Sequence, residues 1–206
     1  MKGRFVELRP VALGDLDQIA EWRNGDIASS RQVGLCTRAD MLAWFERVNA
    51  PGKTEHAFVV MAKEFEVGYV RLCSVDLRDG VAEVGYLIAP THRGKGLGTD
   101  AVRTIVEFGF RMLALERIEA EVYAFNVPSQ KLLERLGFKR EGCKRSAVRR
   151  VVGEKPYPQR WDAIQFGLLA HEFYQRLAFP DSEAQQLAGY VPAERTVVDG
   201  AFHVDA

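Results

Sequence analysis

Only three cysteines occur in the 206 residues, Cys36, Cys73 and Cys143. An odd, widely spaced set with no CxxC pair builds neither a disulfide framework nor a zinc site. Free thiols in a reducing, cytoplasmic setting are the expectation. Neither charge is in surplus: 28 Lys+Arg stand against 28 Asp+Glu, which argues against a partner in nucleic acid or an anionic membrane. No apolar run approaches the roughly 20 residues of a membrane-spanning helix. No apolar leader follows Met1-Lys2-Gly3-Arg4-Phe5, and there is no internal repeat. What is present, 47% hydrophobic and 27% charged residues, is the composition of a folded domain large enough to bury a core unaided.

Hydrophobic periodicity divides the chain into short elements. Residues Arg4 to Arg9 alternate and predict a first strand ended by Pro10; Leu16, Ile19, Ala20 and Trp22 predict a helix closing near Asn24-Gly25. Thr37 is placed to cap a second helix with an apolar face of Met41, Leu42, Trp44, Phe45 and Val48. Ala57 to Ala62, Glu66 to Val75 and Val81 to Ile88 read as strands joined by hairpin-length turns, an antiparallel meander. A strong helix follows Gly98, with Val102, Ile105, Val106, Gly109, Met112 and Leu113 on one face. Ile118 to Ala124 reads as a strand, the stretch from Pro128 as a short helix stopped by Gly137, and Trp161 to Leu169 as a last strand expected to close the sheet and run into a helix. Residues 1–178 are thus expected to form one domain. Residues 179–206, acidic and with two prolines, are expected to form a mostly irregular extension.

The informative segment is Arg93-Gly94-Lys95-Gly96-Leu97-Gly98-Thr99, between a strand and a helix. A helix start carries backbone N–H groups without intrahelical partners and the positive end of the helix dipole. Glycines just before it let those groups turn toward a phosphate. The Walker loop does not fit, because Lys95 is followed by Gly96 rather than Ser or Thr. The dinucleotide fingerprint GxGxxG fails too, its third glycine falling on Thr99.

What fits is R-x-x-G-x-G from Arg93 to Gly98, preceded by Glu83-Val84-Gly85-Tyr86-Leu87-Ile88-Ala89-Pro90. With Asn126-x-x-Ser129, the later Gly137-Phe138 pair and the order of elements, the chain resembles the GNAT (Gcn5-related) N-acetyltransferases over roughly Arg4 to Leu169. Trp22-Arg23-Asn24 and Gly85-Tyr86-Leu87-Ile88 look closest to the subgroup of ribosomal-protein-alanine and aminosugar-nucleotide acetyltransferases.

The resemblance implies a mixed α/β domain whose central sheet, flanked by helices, splays apart to admit acetyl-CoA as co-substrate, with no metal. It implies direct acetyl transfer to a primary amine, on a small molecule (aminosugar, polyamine or antibiotic) or a protein N-terminus. Glu83 is expected to take the amine's proton, and main-chain amides near Leu87 and Ile88 to hold the thioester carbonyl. Arg93, Gly94, Lys95, Gly96, Leu97, Gly98 and Thr99 are expected to hold the pyrophosphate, and Asn126 the pantetheine arm. Many family members carry a Tyr where this chain has Leu133. Ser129 is then the candidate to assist the leaving thiolate and touch the CoA arm, with Tyr123 behind it. Trp22, Arg23 and Asn24 are expected at the acceptor. The basic run Lys139, Arg140, Lys144, Arg145, Arg149 and Arg150 reads as a solvated strand edge or as a lure for an acidic acceptor. The edges of such a sheet are compatible with a homodimer. A domain that keeps the CoA notch but only senses acyl-CoA is the rival to an enzyme.

Overall fold

The computed structural model describes residues 1–26, 34–153 and 157–178. The elements are β1 (Glu7–Pro10), α1 (Leu16–Gly25), α2 (Arg38–Asn49), β2 (His56–Ala62), β3 (Phe65–Asp76), β4 (Val81–Ile88), α3 (Leu97–Met112), β5 (Arg117–Tyr123), α4 (Val127–Leu136), β6 (Lys139–Arg150), β7 (Gln159–Leu169) and α5 (Ala170–Ala178). The strands form one seven-stranded sheet in the order β1-β2-β3-β4-β5-β7-β6. All its pairings are antiparallel except β4 with β5.

Each face of the sheet has its own core. On one, Leu16, Ile19 and Trp22 of α1 and Met41, Trp44 and Val48 of α2 pack on Val59, Tyr69, Leu87 and Ala89. On the other, α3, α4 and α5 cover Val70, Leu72, Ala82, Val84, Ile118, Ile164 and Phe166. Strand residues therefore alternate between two buried layers. The Thr37 cap forms as expected, its hydroxyl accepting from the Asp40 N–H while the Asp40 carboxylate accepts from the Thr37 N–H.

Three sequence expectations change. The first strand begins at Glu7, not Arg4. The N–H groups of Arg4, Phe5 and Val6 instead turn onto the Asp100 carboxylate at 3.1, 2.7 and 3.0 Å, a cap supplied by α3. Met112, the last residue of α3, is 73% exposed; Leu113 after it packs against the core instead. The strand Trp161 to Leu169 closes no edge: β7 inserts between β5 and β6, and the basic run becomes the outermost strand. The expected C-terminal extension, 179–206, lies outside the described residues.

Candidate active site

The notch is created by a pairing that stops. Strand β4 pairs with β5 only at Val81↔Arg117, Ala82↔Ile118 and Glu83↔Glu119. Beyond Glu83 it stays on β3 as far as Gly68↔Ile88. Strand β5 meanwhile continues on β7 as far as Tyr123↔Ala163. From Val84 to Ile88 the β5 edge of β4 thus lies open.

The Ala89 N–H donates to the Val67 carbonyl at 2.9 Å. A strand alternates its hydrogen-bonding edge residue by residue, so Leu87 shares the β3 edge, while Tyr86 and Ile88 turn their main-chain groups to the notch. Of the two amides expected there, the alternation puts Ile88 at the notch and Leu87 against β3. At Gly68 the two strands approach so closely that a Cβ would sit 2.2 Å from the Leu87 carbonyl oxygen.

The glycine loop closes one end of the notch. A 3-10 turn, Pro90–His92, leads to Gly94 (φ 75°) and Gly96 (φ 74°), both in the left-handed region that glycine tolerates. Gly96 is the N-cap of α3 and offers no side-chain cap, leaving the first amides of the helix, from Leu97 to Thr99, to an external acceptor. A Cβ at Gly94 would meet nothing within 4 Å, so the approach is open; at Gly98 it would press on Leu132 and Ile88 at 3.2 and 3.3 Å, so α3 sits tight against β4 and α4. Lys95 Nζ donates to the Thr91 carbonyl. Arg93 spends its guanidinium within the protein, with Nε donating to the Ile88 carbonyl at 2.8 Å and Nη2 on Asp26 at 2.5 Å. His92, its imidazolium disfavoured by burial and by nearby Lys95, lies in the turn.

Helix α4 closes the other side. The Asn126 carboxamide oxygen caps it by accepting from the Ser129 N–H at 3.3 Å. The Ser129 Oγ lies 2.7 Å from the Tyr86 Oη, so a hydroxyl pair links α4 to β4. Burial pushes the Tyr86 hydroxyl up to about 12, against a smaller downward pull from Ser129. Leu133 is fully buried in the core. Tyr123 is buried as well, and its hydroxyl accepts from Arg150 at 3.3 Å.

Across the sheet from Tyr86, on the α1–α2 side, Glu83 shares a face with its register partner Glu119, and by alternation with Glu121 and Tyr123. Arg117 holds Glu119 at 2.8 Å; Lys144 and Gln165 hold Glu121 at 2.8 and 2.7 Å. Trp22 is core, 9% exposed. Arg23 stacks near the Trp44 and Tyr69 rings, and its Nε is buried without a hydrogen-bond partner among the described residues. Asn24 bonds the Cys36 main chain twice, at 2.7 and 3.1 Å, and ties the end of α1 to the approach of α2. The basic strand β6 is largely exposed, with Lys139 paired to Glu172 and Lys144 to Glu121. Those pairs fit a solvated edge.

Sequence reasoning gave no site role to Tyr86 or Asp26. A tyrosine alternating with Val84 and Ile88 toward a helix-covered face is a usable signal, because a buried phenol needs a partner. Asp26 carries no signal. Among the described residues no group of three or more His, Cys, Asp or Glu is placed to hold a metal ion, and no helix is long and apolar enough to cross a membrane.

Comparison with known proteins bears on the family and the fold. The profile described as "Acetyltransferase (GNAT) domain" matches residues 6–139. An uncharacterized N-acetyltransferase of Bacillus licheniformis is 30% identical over 174 residues, 82% of this chain and 94% of the relative. A probable N-acetyltransferase of Bacillus subtilis is 44% identical over 161 residues, 72% of this chain and 88% of the relative. Among solved structures, the spermidine N-acetyltransferase of Vibrio cholerae in complex with CoA and spermine superposes with a TM-score of 0.74 at 21% identity, over 82% of this chain and 98% of that one. A dodecameric form of that enzyme gives 0.69 at 24% identity, over 84% of this chain and 98% of that one.

Proposed function

The chain belongs to the acetyltransferase (GNAT) family, and from that premise we propose that it moves the acetyl group of acetyl-CoA onto a primary amine of a small cationic molecule, of polyamine type. The observation that carries the reading is the notch opening immediately after Glu83↔Glu119, with uncapped α3 amides at one end. The amides from Leu97 to Thr99, with the loop from Arg93 to Gly96, suit a pyrophosphate, and Asn126 at the start of α4 suits the pantetheine arm.

An alkylamine attacks only when neutral, yet in water near pH 7 it is mostly protonated. Glu83 takes that proton, directly or through a water, and the freed nitrogen attacks the thioester carbonyl; the positively charged nitrogen of the adduct then gives up a second proton to solvent as the amide forms. The oxygen gathers negative charge, which the notch-facing amides of β4, Ile88 among them, offset. The C–S bond then breaks, its electron pair leaving on sulfur, where Ser129 meets it. Glu83 on the α1–α2 face suits a cationic acceptor better than an acidic one, Glu119 and Glu121 beside it being already matched by Arg117 and Lys144. The paired lysines of β6 weigh against the acidic acceptor of the aminosugar-nucleotide subgroup. The spermine bound by the structural neighbour is consistent with this choice. Residues 1–178 would act as the catalytic domain, with the exposed edge β6 open to pairing in a homo-oligomer.

The test is thiol release from acetyl-CoA over a panel of diamines, polyamines, aminosugars and peptide N-termini, with product masses read alongside. Diamines and polyamines should turn over best, and Glu83→Gln should cut kcat by roughly a hundred-fold or more. Preference for aminosugars or peptides removes the polyamine assignment; an unaltered Glu83→Gln rate removes the base.

A further inference from the structure

The hydroxyl pair between Tyr86 and Ser129 has a direction that chemistry can assign. A phenol is the stronger donor and an aliphatic hydroxyl the better acceptor. Either hydroxyl can donate across the 2.7 Å, and the greater acidity of the phenol favours Tyr86 Oη–H donating to Ser129 Oγ over the Ser129 carbonyl oxygen at 3.4 Å. Serine near a helix start otherwise turns its hydroxyl onto a carbonyl of the preceding turn. With an Oγ lone pair engaged by Tyr86, the Ser129 rotor is pinned and its own proton left for a third group.

We infer that Tyr86 is a positioning residue for the acetyl transfer: it holds the Ser129 hydroxyl so that Ser129 donates its hydrogen bond to the sulfur of CoA as the thiolate leaves. The inference rests on the proposed reaction and deepens it. Leu133, one turn further along α4, is sealed in the core and offers no donor to the sulfur, so the hydroxyl pair is left with that task. No proton is lost from either hydroxyl. The N–C bond forms and the C–S bond breaks, with its electron pair resting on sulfur. The ammonium's proton passes to Glu83 before attack, the proton shed by the acylated nitrogen passes to solvent, and CoA departs as a hydrogen-bonded thiolate that is protonated by solvent. The Tyr86 hydroxyl, raised to about 12 by burial, stays protonated throughout the working range and so remains a donor.

A hydrogen bond to the charged form lowers a group's pKa, so the test does not depend on the acceptor. CoA bound to the full-length protein is titrated by thiolate absorbance in wild type, Tyr86→Phe, Ser129→Ala and the double variant. The thiol of bound CoA should titrate higher in both single variants, by about one unit for a ten-fold loss of stabilisation. The double variant should match Ser129→Ala alone. With an amine that turns over, Tyr86→Phe should lower kcat roughly five- to ten-fold and leave the KM for acetyl-CoA within about two-fold. Ser129→Thr, which keeps the hydroxyl, should retain kcat. Ser129→Ala removes the same bond from the half-buried α4 side, should Tyr86→Phe fail to fold.

Additive losses in the double variant, or a wild-type titration in Tyr86→Phe, overturn the inference. If the titration behaves as stated while no amine is acetylated, the proposed reaction falls and the hydroxyl pair stands. If CoA does not bind, both fall.

Discussion

Arg93 and Asp26 join the glycine loop to the C-terminal end of α1: Arg93 Nη2 lies 2.5 Å from the Asp26 carboxylate, while Arg93 Nε donates to the Ile88 carbonyl. The Ile88 carbonyl, to which β5 would have donated in a continuous sheet, is thus satisfied by the first residue of the R-x-x-G-x-G motif. Under the proposed function Arg93 would act on the cofactor by fixing the loop, with the helix-start amides left as the donors to a pyrophosphate.

Breaking the two bonds separately should give graded effects. Asp26→Asn weakens a half-exposed ion pair worth at most ~1 kcal/mol. It should raise the Kd for CoA no more than about five-fold, and less at high salt. Arg93→Ala also strips the Ile88 carbonyl of its donor at the notch, and should weaken CoA by roughly ten-fold or more. Calorimetric titration of CoA checks both, and equal losses would contradict this division of roles.

Asn126 has a capping role that can be separated from cofactor contact. Its carboxamide oxygen caps α4 on the Ser129 N–H. Asn126→Asp keeps an acceptor oxygen and should leave the melting temperature near wild type. Asn126→Ala should cost about 1 kcal/mol. If the carboxamide NH2 serves pantetheine, both variants should lose acetyl-CoA affinity alike. Stability and affinity falling together in Ala, with neither changed in Asp, would reduce Asn126 to a cap.

Much of the fold was legible because the signals were local. The capping box at Thr37, the glycine stop at Gly137 and the alternation of β4 all sit within a few residues of what they specify. What could not be read was set across the chain. The first strand was misplaced because Asp100, 95 residues from Phe5, supplies its turn with acceptors. Strand β6 is an exposed edge spelled KREGCKRSAVRR, and without a buried face it leaves no period-two pattern. The same division holds at the site. The glycine loop is written in one segment, but the Tyr86–Ser129 pair spans 43 positions and exists only once α4 packs against β4.

Gly68 should be intolerant of any side chain for a reason tied to the notch. An added methyl would sit 2.2 Å from a main-chain oxygen of β4 and 3.0 Å from the Ile88 Cα, neither able to swing aside as a flexible side chain would. Gly68→Ala should therefore shift β3 from β4 where the notch opens, costing about 1–3 kcal/mol, and should weaken CoA binding beyond what the stability loss explains. Chemical denaturation with CoA titration on the folded fraction measures both. A variant as stable as wild type would mean the strands slide apart freely.

Asp15 predicts the pH dependence of stability at the start of α1. Its carboxylate accepts from Arg9 at 2.7 and 3.0 Å and from the Ala12 N–H at 2.6 Å. Burial pushes the carboxyl up, but the Arg9 and Ala12 hydrogen bonds prevail and hold it below its ordinary 3.8. A depressed folded pKa means the unfolded chain binds the proton more readily, so stabilisation is present above about pH 4 and is lost as pH falls through the lower folded value. Asp15→Asn resembles the protonated acid in shape and charge. It should cost about 1–2 kcal/mol at pH 7, where the pair with partly exposed Arg9 is intact. Toward pH 2 its stability should converge on that of wild type, as more of the native carboxyl becomes neutral. Urea denaturation at both pH values decides the matter: a gap of constant size would mean that Asp15 holds the turn by shape alone, with its charge and the Arg9 pair contributing nothing.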